Sequence, residues 1–240
     1  MALTNEEIEK RISDSYEVPN NVLQKAPQPL VTVRTSTFQH GPYIKACIEG
    51  VLSQKTDFEF EFIIGEDYST DGSREIVLDY AKRYPDIIRV FTADYNVGVK
   101  ANGRRCARAT RGKYMAICEG DDYWSDPLKL QKQIDFLRTN PDCSLVFTGA
   151  EIKKANGESN TIRYKGLGKI DANEYVKNSY FMASCSLLFL NSIYTEAPTE
   201  DWMKNGRLDE KIICWRLCAK ISRINSRQNW IYRLGYQCCK

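Results

Sequence analysis

The order of apolar and polar segments along the chain predicts strands that alternate with helices. Five apolar segments have the length and composition of strands: 30–35, 58–64, 87–91, 113–118 and 143–148. Between them, apolar residues recur at helical spacing, as in the stripe of Ile44, Cys47, Ile48, Val51 and Leu52. This alternation indicates an α/β fold with a mostly parallel sheet and helices on both faces.

The remaining segments divide the chain into three parts. Thr4-Asn5-Glu6-Glu7 has the pattern of a capping box and predicts a helix to about Ile12, followed by an irregular segment rich in proline and asparagine. Later segments predict a hairpin within 150–165, a short helix at 171–178 and a strand at 185–190. The expected organisation is a single domain with an N-terminal lead-in, an α/β half and a second half: 1–29, 30–150 and 151–240.

Composition excludes several classes of protein. The 240 residues are 42% hydrophobic, which is too apolar for a disordered chain, and no apolar run is long enough for a transmembrane helix. The start of the chain lacks the apolar region of a signal peptide, so the nine cysteines are expected to be free thiols in a reducing cytoplasm. A net charge of +3 does not indicate nucleic-acid binding.

Residues 211–240 differ from the rest in charge. They hold seven Lys and Arg residues and no Asp or Glu, together with four of the nine cysteines. Cys214 and Cys218 lie one helical turn apart and could contribute to a zinc site, although buried thiols are the simpler interpretation. The basic segment is either a solvated face or a site of peripheral membrane association at the inner face of the membrane.

Polar clusters follow three of the predicted strands. They are Thr35-Ser36-Thr37, the segment from Gly65 to Gly72 that contains Glu66 and Asp67, and Glu119-Gly120-Asp121-Asp122. In a parallel sheet these clusters meet at one edge, where ligands bind. Carboxylates gathered there need a counter-charge. Oxygen ligands favour Mg²⁺ or Mn²⁺, which commonly bind substrate phosphates as well. Taken singly, each cluster also fits a solvated turn or a helix cap.

The motifs resemble those of the inverting nucleotide-sugar glycosyltransferases of family 2, which have the GT-A fold, a Rossmann-like sheet. VTVRTSTF is similar to their first strand and Thr-Tyr corner, and IIGEDYSTDGS to their Asp-Asp-x-Ser-x-Asp-Gly motif. NVGVKANGRRCARATRGKYMAICEGDDYW resembles the segment that leads into their Asp-x-Asp motif. CEGDDYWSDPLKLQKQIDFL is similar to a bacterial subgroup that modifies surface polysaccharides. The resemblance covers 28–150 strongly and 151–200 loosely.

The resemblance implies roles for individual residues. Thr37 would lie near the uracil or ribose, Asp67 would bind the base, and Glu119 stands in place of the first Asp of Asp-x-Asp. Asp122 would be the direct metal ligand, and Asp121 would bind the ribose or the metal. The full set of residues expected to bind the donor is Thr35, Thr37, Glu66, Asp67, Lys100, Asn102, Glu119 and Asp121.

The resemblance also implies the reaction. A sugar would be transferred from a nucleoside-diphosphate donor, most commonly a UDP-sugar, to a hydroxyl of a saccharide or lipid-linked saccharide acceptor. The transfer would invert the configuration of the anomeric carbon. A carboxylate of the second half would act as general base. Asp209 lies 87 residues beyond Asp122, a spacing typical of the family, and is preferred over Glu210, with Glu200 and Asp201 as further candidates.

Two alternatives remain open at this stage. Tyr232-Arg233 matches the family, but LGYQCCK follows in place of a glycine-rich segment, so the chain could bind nucleotide-sugar without turnover. A sugar-nucleotide nucleotidyltransferase would share the α/β half, but the glycine-rich loop that it needs after the first strand is absent. The motifs of a serine hydrolase, a dinucleotide dehydrogenase and a P-loop protein are absent too.

Overall fold

The fold is taken from a computed structural model, which describes residues 3–20, 22, 28–153, 156, 158–162, 168–170, 183–192, 221–223 and 231–232. The helices are α1 (Asn5–Ser13), α2 (Ile44–Leu52), α3 (Ser73–Arg83), α4 (Val99–Arg108) and α5 (Lys129–Thr139). The strands of the first half are β1 (Tyr16–Glu17), β2 (Val31–Thr37), β3 (Phe60–Glu66), β4 (Ile88–Thr92), β5 (Tyr114–Ile117) and β6 (Leu145–Phe147). Those that follow are β7 (Ala150–Lys153), β8 (Ser159–Ile162), β9 (Gly168–Ile170), β10 (Leu188–Leu190), β11 (Ile221–Arg223) and β12 (Ile231–Tyr232).

These elements match most of the sequence predictions. The five predicted strands and the helices between them are present, with ends that differ by a few residues. The predicted hairpin is the antiparallel pair of β7 and β8. The predicted strand at 185–190 is shorter, because a 3₁₀ turn at Ser184–Ser186 precedes β10. The short β1 was not expected, and the predicted helix at 171–178 lies outside the described residues.

The main sheet has a parallel centre. Within the described residues its order is β1-β4-β3-β2-β5-β10-β6-β11-β9. Strands β4, β3, β2 and β5 run parallel, whereas β10 runs antiparallel to both of its neighbours, β5 and β6. The chain moves outward from β2 through β3 to β4 and then returns to the other side of β2 to form β5. The strand order therefore reverses between β2 and β5, the position at which open α/β sheets bind ligands.

Helices cover both faces of this sheet. The main apolar core includes Val33 of β2, Ile64 of β3, Ile48 of α2, Val77 of α3 and Ile134 of α5, all buried. Helix α4 lies on the opposite face, where Asn102 and Cys106 contact Gly65 so closely that a Cβ there would lie 2.4–2.5 Å from their side-chain atoms. The fold is thus the expected α/β arrangement.

A smaller core joins the N-terminal helix to α4. Ile8 of α1 packs with Ala93, Val97 and Ala101, and Leu3 and Ile12 lie against them. At the surface, Arg108 of α4 makes two hydrogen bonds to the Glu9 carboxylate, at 2.7 and 2.8 Å. Helix α1 is therefore attached by apolar contacts and by charge.

Two further expectations concern the thiols and the membrane. The five cysteines that the structure describes are free, and all are buried. None of the helices in the described ranges is long and apolar enough to cross a membrane.

Candidate functional site

The ends of β2, β3 and β5 meet at one edge of the sheet. The Asp67 N–H donates to the Thr37 carbonyl oxygen at 3.0 Å, which joins the ends of β3 and β2. On the other side, the Gly120 N–H donates to the Ser36 carbonyl oxygen at 3.0 Å. The three polar clusters that the sequence placed after these strands are therefore adjacent, at the reversal of strand order.

Glu119-Gly120-Asp121-Asp122 forms a tight turn after β5, which we call the acidic turn. The Asp122 N–H donates to the Glu119 carbonyl oxygen at 2.9 Å, which closes the turn. Asp122 is only 2% exposed, and Asp121 is half-buried. Of the two aspartates, Asp121 is thus the more accessible to a ligand.

Glu119 is held against the end of β2. Its carboxylate accepts a 3.2 Å hydrogen bond from the Ser36 N–H and lies 3.9 Å from the Arg34 guanidinium. Burial raises the pKa of the Glu119 carboxyl, with a smaller contribution from the Asp121 carboxylate, against the opposing charge of Arg34. Nothing in the sequence indicated a role for Arg34, because its partner Glu119 lies far along the chain and no local pattern identifies it.

Gly120 is enclosed by two polar atoms that have no hydrogen-bond partner in the described structure. They are Oγ1 of Thr37, which is 1% exposed, and the buried Nδ1 of His40. A Cβ on Gly120 would lie 2.6 Å from His40 Nδ1 and 2.8 Å from Thr37 Oγ1, so only glycine fits. Buried polar atoms without partners are unusual in folded proteins, and a bound water, ion or ligand is a common explanation for them. His40 is the single histidine of the sequence, and no sequence motif indicated a role for it.

The loops after β2 and β3 hold each other in place. The Gln39 side chain both donates to the Thr70 hydroxyl, at 3.1 Å, and accepts from the Thr70 N–H, at 2.9 Å. The Gly41 N–H donates to the Asp71 carboxylate at 2.8 Å, and the His40 N–H to the Ser73 hydroxyl at 2.9 Å. These bonds fix His40 beside the acidic turn.

The two carboxylates at the end of β3 are buried and bound by the protein. Glu66 is fully buried and accepts hydrogen bonds from Arg74, Ser69 and Thr92, at 2.7, 2.6 and 3.1 Å. Its position at the edge agrees with the sequence prediction, and these protein groups surround its carboxylate.

Asp67 holds the loop that precedes α4. Its two carboxylate oxygens accept hydrogen bonds from the Val97 N–H at 2.8 Å and the Gly98 N–H at 3.0 Å. Arg105 lies 4.0 Å away. Burial raises the pKa of Asp67, while the two backbone donors and the Arg105 charge act in the opposite direction. Asp67 therefore organises the edge of the site, whatever it contributes to ligand binding.

The other predicted donor-binding residues differ in their accessibility. Lys100 is exposed on the first turn of α4. The Asn102 amide is buried, donates to the Gly65 carbonyl oxygen at 2.9 Å and accepts from Arg105 at 3.0 Å. The Thr35 hydroxyl is buried and donates to the Cys118 carbonyl oxygen at 2.5 Å. Asn102 and Thr35 thus support the strands that carry the site.

A buried lysine lies behind the acidic turn. Lys129 is 1% exposed, donates to the Gln133 side chain at 2.7 Å and lies 4.0 Å from the centre of the Trp124 ring. Burial lowers the pKa of Lys129 to about 7, although the nearby Cys118 and Cys185 groups act to raise it. Lys129 is therefore held away from solvent next to the segment that carries the acidic turn.

The acidic turn can supply part of a cation's ligands, but not all. In the ranges that the structure describes, no three His, Cys, Asp or Glu side chains are close enough to form a complete metal site. Mg²⁺ in enzymes commonly takes one or two carboxylates and completes its shell with water and substrate phosphates. The carboxylates of Asp121 and Asp122, which follow Gly120 in the acidic turn, are the number of protein ligands that such a shared site needs. Asp209, Glu210, Glu200 and Asp201 lie outside the described residues.

The fold and site define an open-sheet α/β protein with an acidic turn at its ligand-binding edge. The chain belongs to glycosyltransferase family 2: the model described as "Glycosyl transferase family 2" matches residues 32–196. The resemblance drawn from the motifs is therefore confirmed at the level of the family.

Curated relatives match the chain over about half of its length. An uncharacterised protein of Mycobacterium tuberculosis, Rv1520, is 40% identical over 117 residues, which are 49% of this chain and 34% of that protein. The putative teichuronic acid biosynthesis glycosyltransferase TuaG of Bacillus subtilis is 32% identical over 130 residues, 54% of this chain and 50% of that protein. The matched segments thus span half or less of these relatives.

Solved structures share the fold. TarS of S. aureus, determined in complex with UDP, superimposes with a TM-score of 0.66 at 16% identity, over 85% of this chain and 60% of that chain. The mannosyltransferase PcManGT of Pyrobaculum calidifontis, in complex with GDP-Man and Mn²⁺, gives a TM-score of 0.59 at 15% identity, over 96% and 64% of the two chains. The GT-A fold expected from the motifs is confirmed.

Proposed function

We propose that this chain is a glycosyltransferase that takes a sugar from a nucleoside diphosphate, a UDP-sugar in the first place, and transfers it to an acceptor hydroxyl with inversion. The observation that carries the proposal is the convergence of the acidic turn with the unpaired Thr37 and His40 atoms at the reversal of strand order. Membership of family 2 and the UDP and GDP-Man bound by neighbours of the same fold support it.

A divalent cation, Mg²⁺ or Mn²⁺, would be held by Asp121 and Asp122 of the acidic turn. The cation would supply Lewis-acid stabilisation of the charge that develops on the leaving diphosphate. The exposures of the two aspartates favour Asp121 as the direct ligand, the reverse of the order that the resemblance implies. Thr37 and Glu119 line the same edge and are proposed to contact the nucleotide.

The acceptor side of the reaction belongs to the second half of the chain. The general base that accepts the proton of the acceptor hydroxyl is proposed to be Asp209, with Glu210 second, from their distance along the chain to the acidic turn. The acceptor class proposed is a saccharide or lipid-linked saccharide of a bacterial surface polymer, in line with the name of the TuaG relative.

The proposal is tested first by binding and then by turnover. Calorimetric titration with UDP and GDP, each with and without Mn²⁺, should show micromolar to millimolar affinity that Mn²⁺ strengthens. Release of UDP or GDP from a panel of donor sugars and saccharide acceptors should follow. Binding without release for any pair would favour a protein that binds nucleotide-sugar without turnover. Release of pyrophosphate from a nucleoside triphosphate and a sugar phosphate would indicate the nucleotidyltransferase instead. Absence of nucleotide binding would refute the proposal.

A further inference from the structure

The segment between β4 and α4 is held from two sides. We call residues 94–98 the β4–α4 loop. From inside, Asp67 accepts the Val97 and Gly98 N–H groups, and the Asn96 amide donates to the Asp67 carbonyl oxygen at 3.0 Å. From outside, the Arg11 guanidinium of α1 donates to the Val97 carbonyl oxygen at 3.0 Å. The Val97 residue is thus bound through its N–H by the sheet and through its carbonyl by the N-terminal helix.

Polar contacts account for much of the order of this loop. Gly98 has a φ of +87°, which only glycine adopts readily, so the backbone here is not stabilised by a regular element. The Tyr95 side chain is 39% exposed and its hydroxyl donates to the Asp14 carboxylate at 2.7 Å, and Val99, the first residue of α4, is 78% exposed. Val97 is the buried anchor, and Arg11 and Asp67 together fix its peptide groups.

The loop borders the proposed donor site. Asp67, which binds the loop, is also joined to the Thr37 carbonyl oxygen, and Thr37 contacts Gly120 of the acidic turn. Asp67 therefore connects the loop to the end of β2. Loops that are already ordered before a ligand binds save the ligand the cost of ordering them.

We propose that Arg11 is a positioning residue for the donor site: it holds the β4–α4 loop in its binding conformation and thereby sets the affinity for a nucleoside diphosphate. This inference rests on the proposed function. It extends the site to a helix that lies before the segment matched by the family model, which begins at residue 32.

Arg11 can be removed without detaching α1. Ile8 packs into the small core with Ala93, Val97 and Ala101, and Glu9 pairs with Arg108, so the helix keeps its other contacts. Arg11→Met retains most of the aliphatic stem and removes the guanidinium with its hydrogen-bond donors and its charge. Lys10→Met is the matched control, because Lys10 is exposed on the same helix and its loss changes the net charge equally.

The test combines amide hydrogen exchange with nucleotide titration. In Arg11→Met, exchange at Val97 and Gly98 should accelerate about tenfold, the low end of what one lost hydrogen bond to a charged group produces. The Kd for UDP with Mn²⁺ should rise about fivefold, because only part of that loss reaches the nucleotide. Arg11→Lys should recover part of both effects, and Lys10→Met should show neither. If Arg11→Met does not fold, the comparison of Arg11→Lys with Lys10→Met gives the same test with a smaller effect.

The outcomes separate this inference from the proposed function. Unchanged exchange in Arg11→Met overturns the positioning role. Faster exchange with an unchanged Kd overturns the link to donor affinity. If the unaltered protein binds neither UDP nor GDP, the proposed function fails and the link to affinity fails with it, while the exchange result still decides whether Arg11 holds the loop.

Discussion

The indole N–H of Trp124 donates a 2.8 Å hydrogen bond to the carbonyl oxygen of Cys185. Trp124 follows the acidic turn by two residues, and Cys185 lies in the 3₁₀ turn before β10. The bond is buried and joins the segment after the acidic turn to the turn that precedes β10, a strand that pairs with β5. The acidic turn is therefore held by its hydrogen bond to β2 and, through Trp124, by the turn that precedes β10.

Replacing Trp124 tests this anchor. Trp124→Phe leaves the Cys185 carbonyl oxygen without its donor and should lower the free energy of unfolding by about 1–3 kcal/mol. Urea unfolding followed by circular dichroism measures the change. Tyr123→Phe is the control, because Tyr123 is only half-buried and should change stability by less than about 0.5 kcal/mol. Equal stability of the two variants would contradict the anchor.

Gly120 should be essential for donor binding. Gly120→Ala places a Cβ against His40 Nδ1 and Thr37, so the acidic turn must move. We expect at least a tenfold loss of Mn²⁺-dependent UDP affinity in a calorimetric titration. Gly103→Ala is the control. Its Cβ would lie 3.9 Å from the nearest Arg34 atom, and alanine in a helix is more stable by about 1 kcal/mol. Wild-type affinity in Gly120→Ala would argue against this edge as the site.

The two aspartates of the acidic turn should respond differently to amidation. Asp121→Asn should abolish the strengthening of UDP binding by Mn²⁺ with little effect on stability, because Asp121 is half-buried. Asp122→Asn should lower the unfolding temperature, because Asp122 is buried and interacts with neighbouring groups, and an amide offers one acceptor oxygen fewer than a carboxylate. Titration with and without Mn²⁺, together with thermal unfolding, distinguishes them. Loss of the Mn²⁺ effect in Asp122→Asn alone would make Asp122 the direct ligand.

Lys129 should give the protein a stability that rises with pH. Its pKa is about 7 in the folded protein against an ordinary 10.5, so the unfolded chain binds more protons between these values. The free energy of unfolding attributable to Lys129 therefore increases by about 1 kcal/mol per pH unit above pH 7.5. Urea unfolding at pH 7.5 and 8.5 should show a smaller pH dependence in Lys129→Met than in the unaltered protein. The same pH dependence of stability in both proteins would show that folding does not lower the pKa of Lys129.

Much of the fold was predictable because its strands carry a local signal. Segments such as 113–118 are rich in apolar residues and are bounded by polar clusters, so their identity needs no knowledge of distant residues. The two-residue β1 has no such pattern, because it forms only where Tyr16 pairs with Thr92 across a long stretch of chain.

The convergence of the polar clusters at one edge of the sheet was predictable, but the contacts within this candidate site were not. Parallel strands bring their carboxyl ends to one edge, so the convergence of Thr37, Asp67 and Gly120 follows from the order of elements. The order of elements does not determine which oxygen accepts a hydrogen bond from which donor. The bond between Arg11 and Val97 spans 86 positions in the sequence, and the engagement of both Asp67 oxygens depends on the path of a loop that no pattern describes.

The position of α1 has a practical consequence for protein production. A fragment that starts where the family match begins would lack Ile8, and the apolar side chains of Ala93, Val97 and Ala101 would be open to water. Arg105 would also lose the Ser15 hydroxyl to which it donates at 2.9 Å. A fragment that keeps this core covered must include α1 and therefore begin near Leu3, almost thirty residues before the family match.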